Sequence, residues 1–167
     1  MLKPAVKILI AEDERDILYQ YVHVLGNAHH VTVNTDGEAC LKAYVAEMQK
    51  GVHFDVVVLD HRMPKMDGME VAKRIFATHH QQRIIFASAF VKETLLESVK
   101  QLNQVVELLQ KPFDLDTLVD TIEDKEIYEK LADLNVKVQE IKNLNPTHEQ
   151  VRDLLEGLTK LRKAKAP

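Results

Sequence analysis

The stretch VVVLDHRMPKMDG, residues 56–68, decides how the rest of the chain is read. Its four leading apolar residues lack the polar alternation of a half-exposed strand, which is the pattern of a strand covered on both faces in a parallel sheet. The run stops on Asp60, and a loop carrying Pro64 and Gly68 follows. In open α/β sheets, ligands and reactive groups collect beyond the carboxyl ends of the strands. A carboxylate there either serves chemistry or merely opens a turn, and this stretch alone leaves both open.

Working outward, similar apolar, β-branched runs occur at 6–10 (VKILI), 31–35 (VTVNT), 83–88 (RIIFAS) and 104–109 (QVVELL), and the central one extends over 54–60 (FDVVVLD). Helical spacing fills the gaps: Ile17, Leu18, Tyr21, Val22 and Leu25; Ala39, Cys40, Ala43, Tyr44 and Met48; Met69, Val71, Ala72, Ile75 and Phe76; Leu95, Leu96, Val99 and Leu102. A further helix is expected from a cap at Asp114 through Leu115, Leu118, Val119 and Ile122. Strict alternation of strand and helix predicts parallel strands joined by right-handed crossovers. The expected fold class is α/β, a five-stranded parallel sheet, doubly wound, over residues 1–122.

Residues 123–167 read differently. Ile127, Leu131, Leu134, Val138 and Ile141 follow heptad spacing for about two heptads. Asn145 and Pro146 break the pattern, Thr147 with Gln150 forms a capping box, and Val151, Leu154, Leu155, Leu158 and Leu161 line a second helix. A helical extension is expected, as an αα-hairpin or one bent helix. Its stripe must be covered, either by a second chain in a homodimer built from two hairpins or by the chain's own α/β domain.

At 167 residues the chain has room for one main domain and an appendage. Hydrophobic residues at 46% and charged residues at 29% exclude a largely disordered chain. A net charge of −4 offers no electrostatic footprint for nucleic acid. Cys40 is the sole cysteine, which excludes an intramolecular disulfide or a cysteine-rich zinc site and fits a reducing cytoplasm. Its apolar neighbours mark it as a small core residue. The N-terminal MLKPAVKILIAEDERD has no signal-peptide cleavage pattern, and no stretch approaches the roughly 18 apolar residues needed to cross a bilayer, so no membrane association is expected.

A parallel sheet aligns the ends of the strands finishing near Ile10, Leu59, Ser88 and Leu109 along one edge. Glu12, Asp13, Asp60, Ser88 and Lys111 stand at or just beyond those ends. Three carboxylates crowded together point to a divalent cation, and an oxygen-only donor set favours Mg²⁺. A lysine and a hydroxyl beside them could coordinate a phosphoryl group in transfer, with Asp60 as the nucleophile that forms an acyl phosphate.

These residues together resemble the receiver domain of two-component response regulators, a flavodoxin-like fold, and are similar in layout to the chemotaxis receiver. The resemblance covers roughly residues 4–122. It rests on Glu12-Asp13 after the first strand, Asp60 ending the third with MPKMDG behind it, Ser88-Ala89 after the fourth, and Lys111-Pro112-Phe113 after the fifth. It implies that Asp60 is the phosphoacceptor, Asp13 a direct Mg²⁺ ligand, Glu12 a ligand through water, and the Arg62 backbone carbonyl a third protein ligand. Ser88 would be the hydroxyl that moves toward the phosphoryl group, Lys111 would pair with its oxygens, and Pro112 would follow a cis bond. The implied partner is a sensor histidine kinase, and no enzyme activity is implied beyond self-catalysed phosphotransfer and autodephosphorylation.

Two departures stand out: Leu108 occupies a position that is often aromatic, and ESVKQLNQVVE before the fifth strand contains no glycine. Phe90 and Arg62 flank the site and would obstruct water. The histidine pairs His29-His30 and His79-His80 are expected in solvated loops, and His61 is expected to face away from Asp60 as a loop residue. A receiver-like scaffold that assembles through its tail, independent of phosphate, is the alternative function. A DNA-binding output is not expected from the 45 residues after 122. Nor is an independent aspartyl phosphatase, because Arg62 stands where a second acid would be needed.

Overall fold

The computed structural model describes residues 4–140. The elements follow as β1 (Lys7–Ala11), α1 (Arg15–Leu25), β2 (His30–Asn34), α2 (Gly37–Gln49), β3 (Val56–Asp60), α3 (Gly68–Thr78), β4 (Ile84–Ser88), α4 (Val91–Leu102), β5 (Glu107–Gln110), α5 (Leu115–Glu123) and α6 (Lys125–Glu140). The five strands are parallel in the order β2-β1-β3-β4-β5, the doubly wound arrangement expected. The strand order reverses between β1 and β3, and in such sheets the crevice beyond that point is where ligands bind.

Side chains alternate across each strand. Leu9, Val57, Leu59 and Phe86 therefore meet α2, α3 and α4 on one face. Ile8, Ile10, Val56, Val58, Ile85 and Leu109 meet α1 and α5 on the other. Every residue of β3 and β4 is buried, which is why Val56–Leu59 shows no polar alternation. Burying each valine, leucine, isoleucine and phenylalanine of these strands stabilises the fold by about 1.5–3 kcal/mol. β2, at the edge, carries the exposed His30, Thr32 and Val33.

Helix starts follow the acidic caps. Asp36, Asp67 and Asp114 each accept a backbone N–H three residues on, from Ala39, Glu70 and Thr117. α3 begins so close to β3 that a Cβ on Gly68 would collide with the Asp60 carbonyl oxygen. That glycine brings the helix start against the strand end. The segment between α4 and β5, which lacks glycine, turns instead on Asn103, at φ 54°. The Lys111–Pro112 bond is cis.

Two expectations are corrected, and part of the α6 stripe finds its cover. β5 starts at Glu107, not 104, because the backbone of Val105 is taken by a side chain: Asn135 Oδ1 accepts its N–H at 2.7 Å and Asn135 Nδ2 donates to its carbonyl at 2.9 Å. His29 is not solvated; it is 7% exposed, its Nδ1 accepts the Val6 N–H at 3.0 Å, and its Nε2 lies 3.1 Å from Glu123 Oε1. Leu131 and Leu134 of the α6 stripe are covered within the chain. Leu131 is 4% exposed within the core beside α3 and α4, and Leu134 packs against the same cluster. Tyr128 reinforces this docking by donating its hydroxyl to the Gln81 carbonyl and lying under the Arg83 guanidinium.

Val138 and Ile141 have no described side chains, and the second helix expected through Leu161 lies outside the described residues. Among the described residues no helix is long and apolar enough to cross a membrane.

Candidate functional site

Asp60 closes β3, Glu12 and Asp13 follow β1, Ser88 closes β4, and Lys111 follows β5. Backbone bonds hold these ends level: the Lys111 N–H donates to the Ser88 carbonyl at 2.9 Å and the His61 N–H to the Ala87 carbonyl at 3.2 Å. All five residues expected from the sequence thus share one edge of the sheet. Carboxylate oxygens of Glu12, Asp13 and Asp60 all lie within 4.8 Å of one another. The Lys111 ammonium sits between two of them, 3.1 Å from Glu12 Oε2 and 3.2 Å from Asp60 Oδ1.

Electrostatics follow from burial. Glu12 is 1% exposed and Asp60 9%, whereas Asp13 faces solvent. Desolvation pushes the Glu12 carboxyl above its usual pKa, and the Asp60 charge adds to this against the pull of Lys111. Desolvation also raises Asp60; Lys111 opposes the rise and Asp13 adds to it. Burial alone would lower the Lys111 pKa, but the Asp60 and Glu12 carboxylates outweigh it and hold the ammonium above its ordinary value. Three carboxylates against one ammonium leave a net negative, oxygen-lined cup. Its donor set fits a small divalent cation.

Ser88 is 4% exposed, and its Oγ is held from the α4 side. It accepts the Phe90 N–H at 2.9 Å and lies 2.9 Å from Thr94 Oγ1. Arg62 is exposed two residues past Asp60, and its guanidinium stacks 5.4 Å from the centre of the Phe90 ring. The two side chains expected to flank the site thus contact each other, one following Asp60 and the other following Ser88 in the chain.

His61 is the residue whose placement sequence reasoning missed. It turns away from Asp60 but not into solvent: Nδ1 is 3.2 Å from Thr94 Oγ1, Nε2 is 3.2 Å from Glu97 Oε2, and the ring meets Phe86 edge-on. Thr94, fully buried, had not been singled out at all. Its signal, a threonine four residues after the residue that starts a helix, is common to many helices that back-bond to a carbonyl.

The sequence pattern of the response regulator receiver domain matches residues 8–123. Among curated relatives, the DNA-binding transcriptional regulator NtrC of Azospirillum brasilense is 33% identical over 120 residues, which is 71% of this chain and 24% of that protein. The response regulator receiver protein CpdR of Brucella abortus is 31% identical over 118 residues, 70% of this chain and 93% of that one. The chain spans about a quarter to about half the length of the first relatives it matches. Among solved structures, the Francisella response regulator 1452 receiver domain superposes with a TM-score of 0.59 at 26% identity, covering 75% of this chain and 98% of that one. With the acidic cup, the lysine and the doubly wound sheet all in place, the chain belongs to the response regulator receiver domain family.

Proposed function

We propose that the chain is a phosphorylation-dependent switch of a two-component system that accepts a phosphoryl group on Asp60 from a sensor histidine kinase. The observation that carries the reading is the Lys111 ammonium 3.2 Å from Asp60 Oδ1, inside a cup of three carboxylates. An Asp60 oxygen attacks phosphorus in line, a phosphorus–oxygen bond forms, the phosphorus–nitrogen bond to the donor imidazole breaks, and the imidazole leaves with the electron pair. Lys111 pairs with the phosphoryl oxygens, and the Ser88 hydroxyl turns to donate to one of them. Asp13 and Asp60 directly, Glu12 through water, and the Arg62 backbone carbonyl would hold Mg²⁺. When bound it offsets the carboxylate charge and draws in a phosphoryl oxygen. Arg62 and Phe90 shield the acyl phosphate from water.

Incubation with acetyl phosphate and Mg²⁺ tests the reading by intact mass. One added phosphate is expected on the native chain and none on Asp60→Asn, whose amide is a far poorer nucleophile. Unchanged phosphate on that variant overturns the assignment.

A second reading is a receiver-like scaffold whose helical tail assembles complexes independently of phosphate; the docking of Leu131 and Tyr128 on the chain's own receiver instead fits a tail that the switch could release. A homodimer through the C-terminal helices belongs to that scaffold reading. Light scattering with and without beryllofluoride distinguishes the two, because a scaffold keeps one mass in both.

A further inference from the structure

We infer that Thr94 and His61 are positioning residues that latch the Ser88 hydroxyl to α4 and hold it back from the phosphoryl site. The inference rests on Asp60 being the phosphoacceptor and adds how its unmodified state is maintained. Thr94 Oγ1 has three neighbours: the Phe90 carbonyl at 2.8 Å, Ser88 Oγ at 2.9 Å and His61 Nδ1 at 3.2 Å. A hydroxyl offers one proton and two lone pairs, so three partners use it completely. It is 0% exposed and water cannot replace a lost partner.

The latch has a fixed frame on each side. The Phe90 bond is the i−4 bond of the α4 first turn, which locks the threonine rotamer. His61 is braced by Glu97 at Nε2, one turn further along α4, and by the edge of Phe86 in β4. Ser88 Oγ is thus held by two groups of α4 and its cap, Phe90 N and Thr94 Oγ1. A phosphoryl oxygen on Asp60 must compete with both.

The same geometry makes α4 the element that reads the position of Ser88. Leu108, which lies opposite Phe86 on β5, is 5% exposed in the core and has no polar side-chain group with which to follow a serine hydroxyl. Thr94 does have one. When Ser88 leaves, Thr94 keeps His61 and Phe90 as partners, so the departure strands no buried hydroxyl, and α4 loses a tie to β4.

The test is the affinity of the full chain for beryllofluoride in Mg²⁺, by calorimetry, with ¹⁹F NMR confirming the bound species. Thr94→Val keeps the shape and removes the hydroxyl. It should bind about fivefold tighter, the effect of one neutral hydrogen bond removed from the unmodified state. Thr94→Ser should restore native affinity. His61→Ala, at a partly buried loop position that leaves the helix untouched, should tighten binding about two- to threefold and carries the same test should Thr94→Val fail to fold. In a Ser88→Ala background, Thr94→Val should change affinity less than twofold, a loss of coupling that a general structural effect would not produce. Native-like or weaker affinity in folded Thr94→Val, or an undiminished effect without Ser88, overturns the latch. If the native chain itself binds no beryllofluoride, the phosphoacceptor assignment fails and the latch goes with it. If the native chain binds and only the Thr94 and His61 variants behave as native, the latch alone is wrong.

Discussion

Arg83 holds Glu107 through two nitrogens, at 2.7 and 2.9 Å, at the end of the sheet opposite Asp60. Both side chains are buried, at 5% and 2% exposure. The guanidinium also donates to the carbonyls of Thr121, Ile122 and Asp124, so the one cation closes β4, β5 and the end of α5 together. Breaking a buried pair leaves the other charge uncompensated. Arg83→Met should lower unfolding free energy by about 3–5 kcal/mol in urea titrations. Phosphorylation of Asp60 in the folded fraction should persist, since the pair lies a strand length away.

Acidic crowding at the other end sets a pH dependence. Glu12 and Asp60 have folded pKa values raised above their ordinary ones, so the folded state binds their protons more tightly than the unfolded state does. The resulting stability is fully present below the unfolded carboxylate pKa and is lost as pH rises through the raised values. Without metal, Asp13→Ala should therefore raise the melting temperature at pH 7 by relieving Asp60. Added Mg²⁺ should raise that of the native chain and not that of Asp13→Ala. Calorimetric scans at pH 7, with and without Mg²⁺, check both signs; equal Mg²⁺ shifts in the two proteins would disprove the role of Asp13.

The docking of α6 predicts a loss confined to one chain. Leu131→Ala removes a nearly buried leucine and should cost about 2–4 kcal/mol, depending on how far the site collapses. Denaturation midpoints should not depend on protein concentration across a hundredfold range. A midpoint that rises with concentration would place Leu131 between two chains instead.

Cys40 is fully buried in the core beside Tyr44, and desolvation pushes its thiol up to about 12, with Asp36 adding to the rise. Only the thiolate reacts readily. The folded chain should show no titratable thiol with a disulfide reagent at pH 8, and one equivalent once unfolded in guanidinium.

The grouping of the candidate site residues was legible in the sequence because they sit where strands stop. Asp60 ends an unbroken apolar run, and Glu12, Ser88 and Lys111 occupy equivalent points of other runs, so parallel topology alone brings them together. Partners contributed by side chains were not legible. Leu131 and Leu134 show a helical stripe, but a stripe names no cover. Arg83 and Glu107 are charged residues at strand starts, a pattern that usually means solvent, and only the fold reveals that each neutralises the other. His61 and His29 misled for the same reason. A histidine beside a strand terminus is solvated or buried according to what packs over it, here Glu97 and Thr94 in one case and Glu123 in the other.

Asn135 carries a consequence for self-recognition. β5 is the last strand of the sheet, and the backbone just ahead of it is a template to which an extended segment of another molecule could add. By accepting from the Val105 N–H and donating to its carbonyl, the Asn135 amide takes up both groups that such a segment would seek. A helical side chain here makes the two hydrogen bonds that a neighbouring strand would make at Val105, so the docking of α6 leaves that residue nothing to offer an incoming strand.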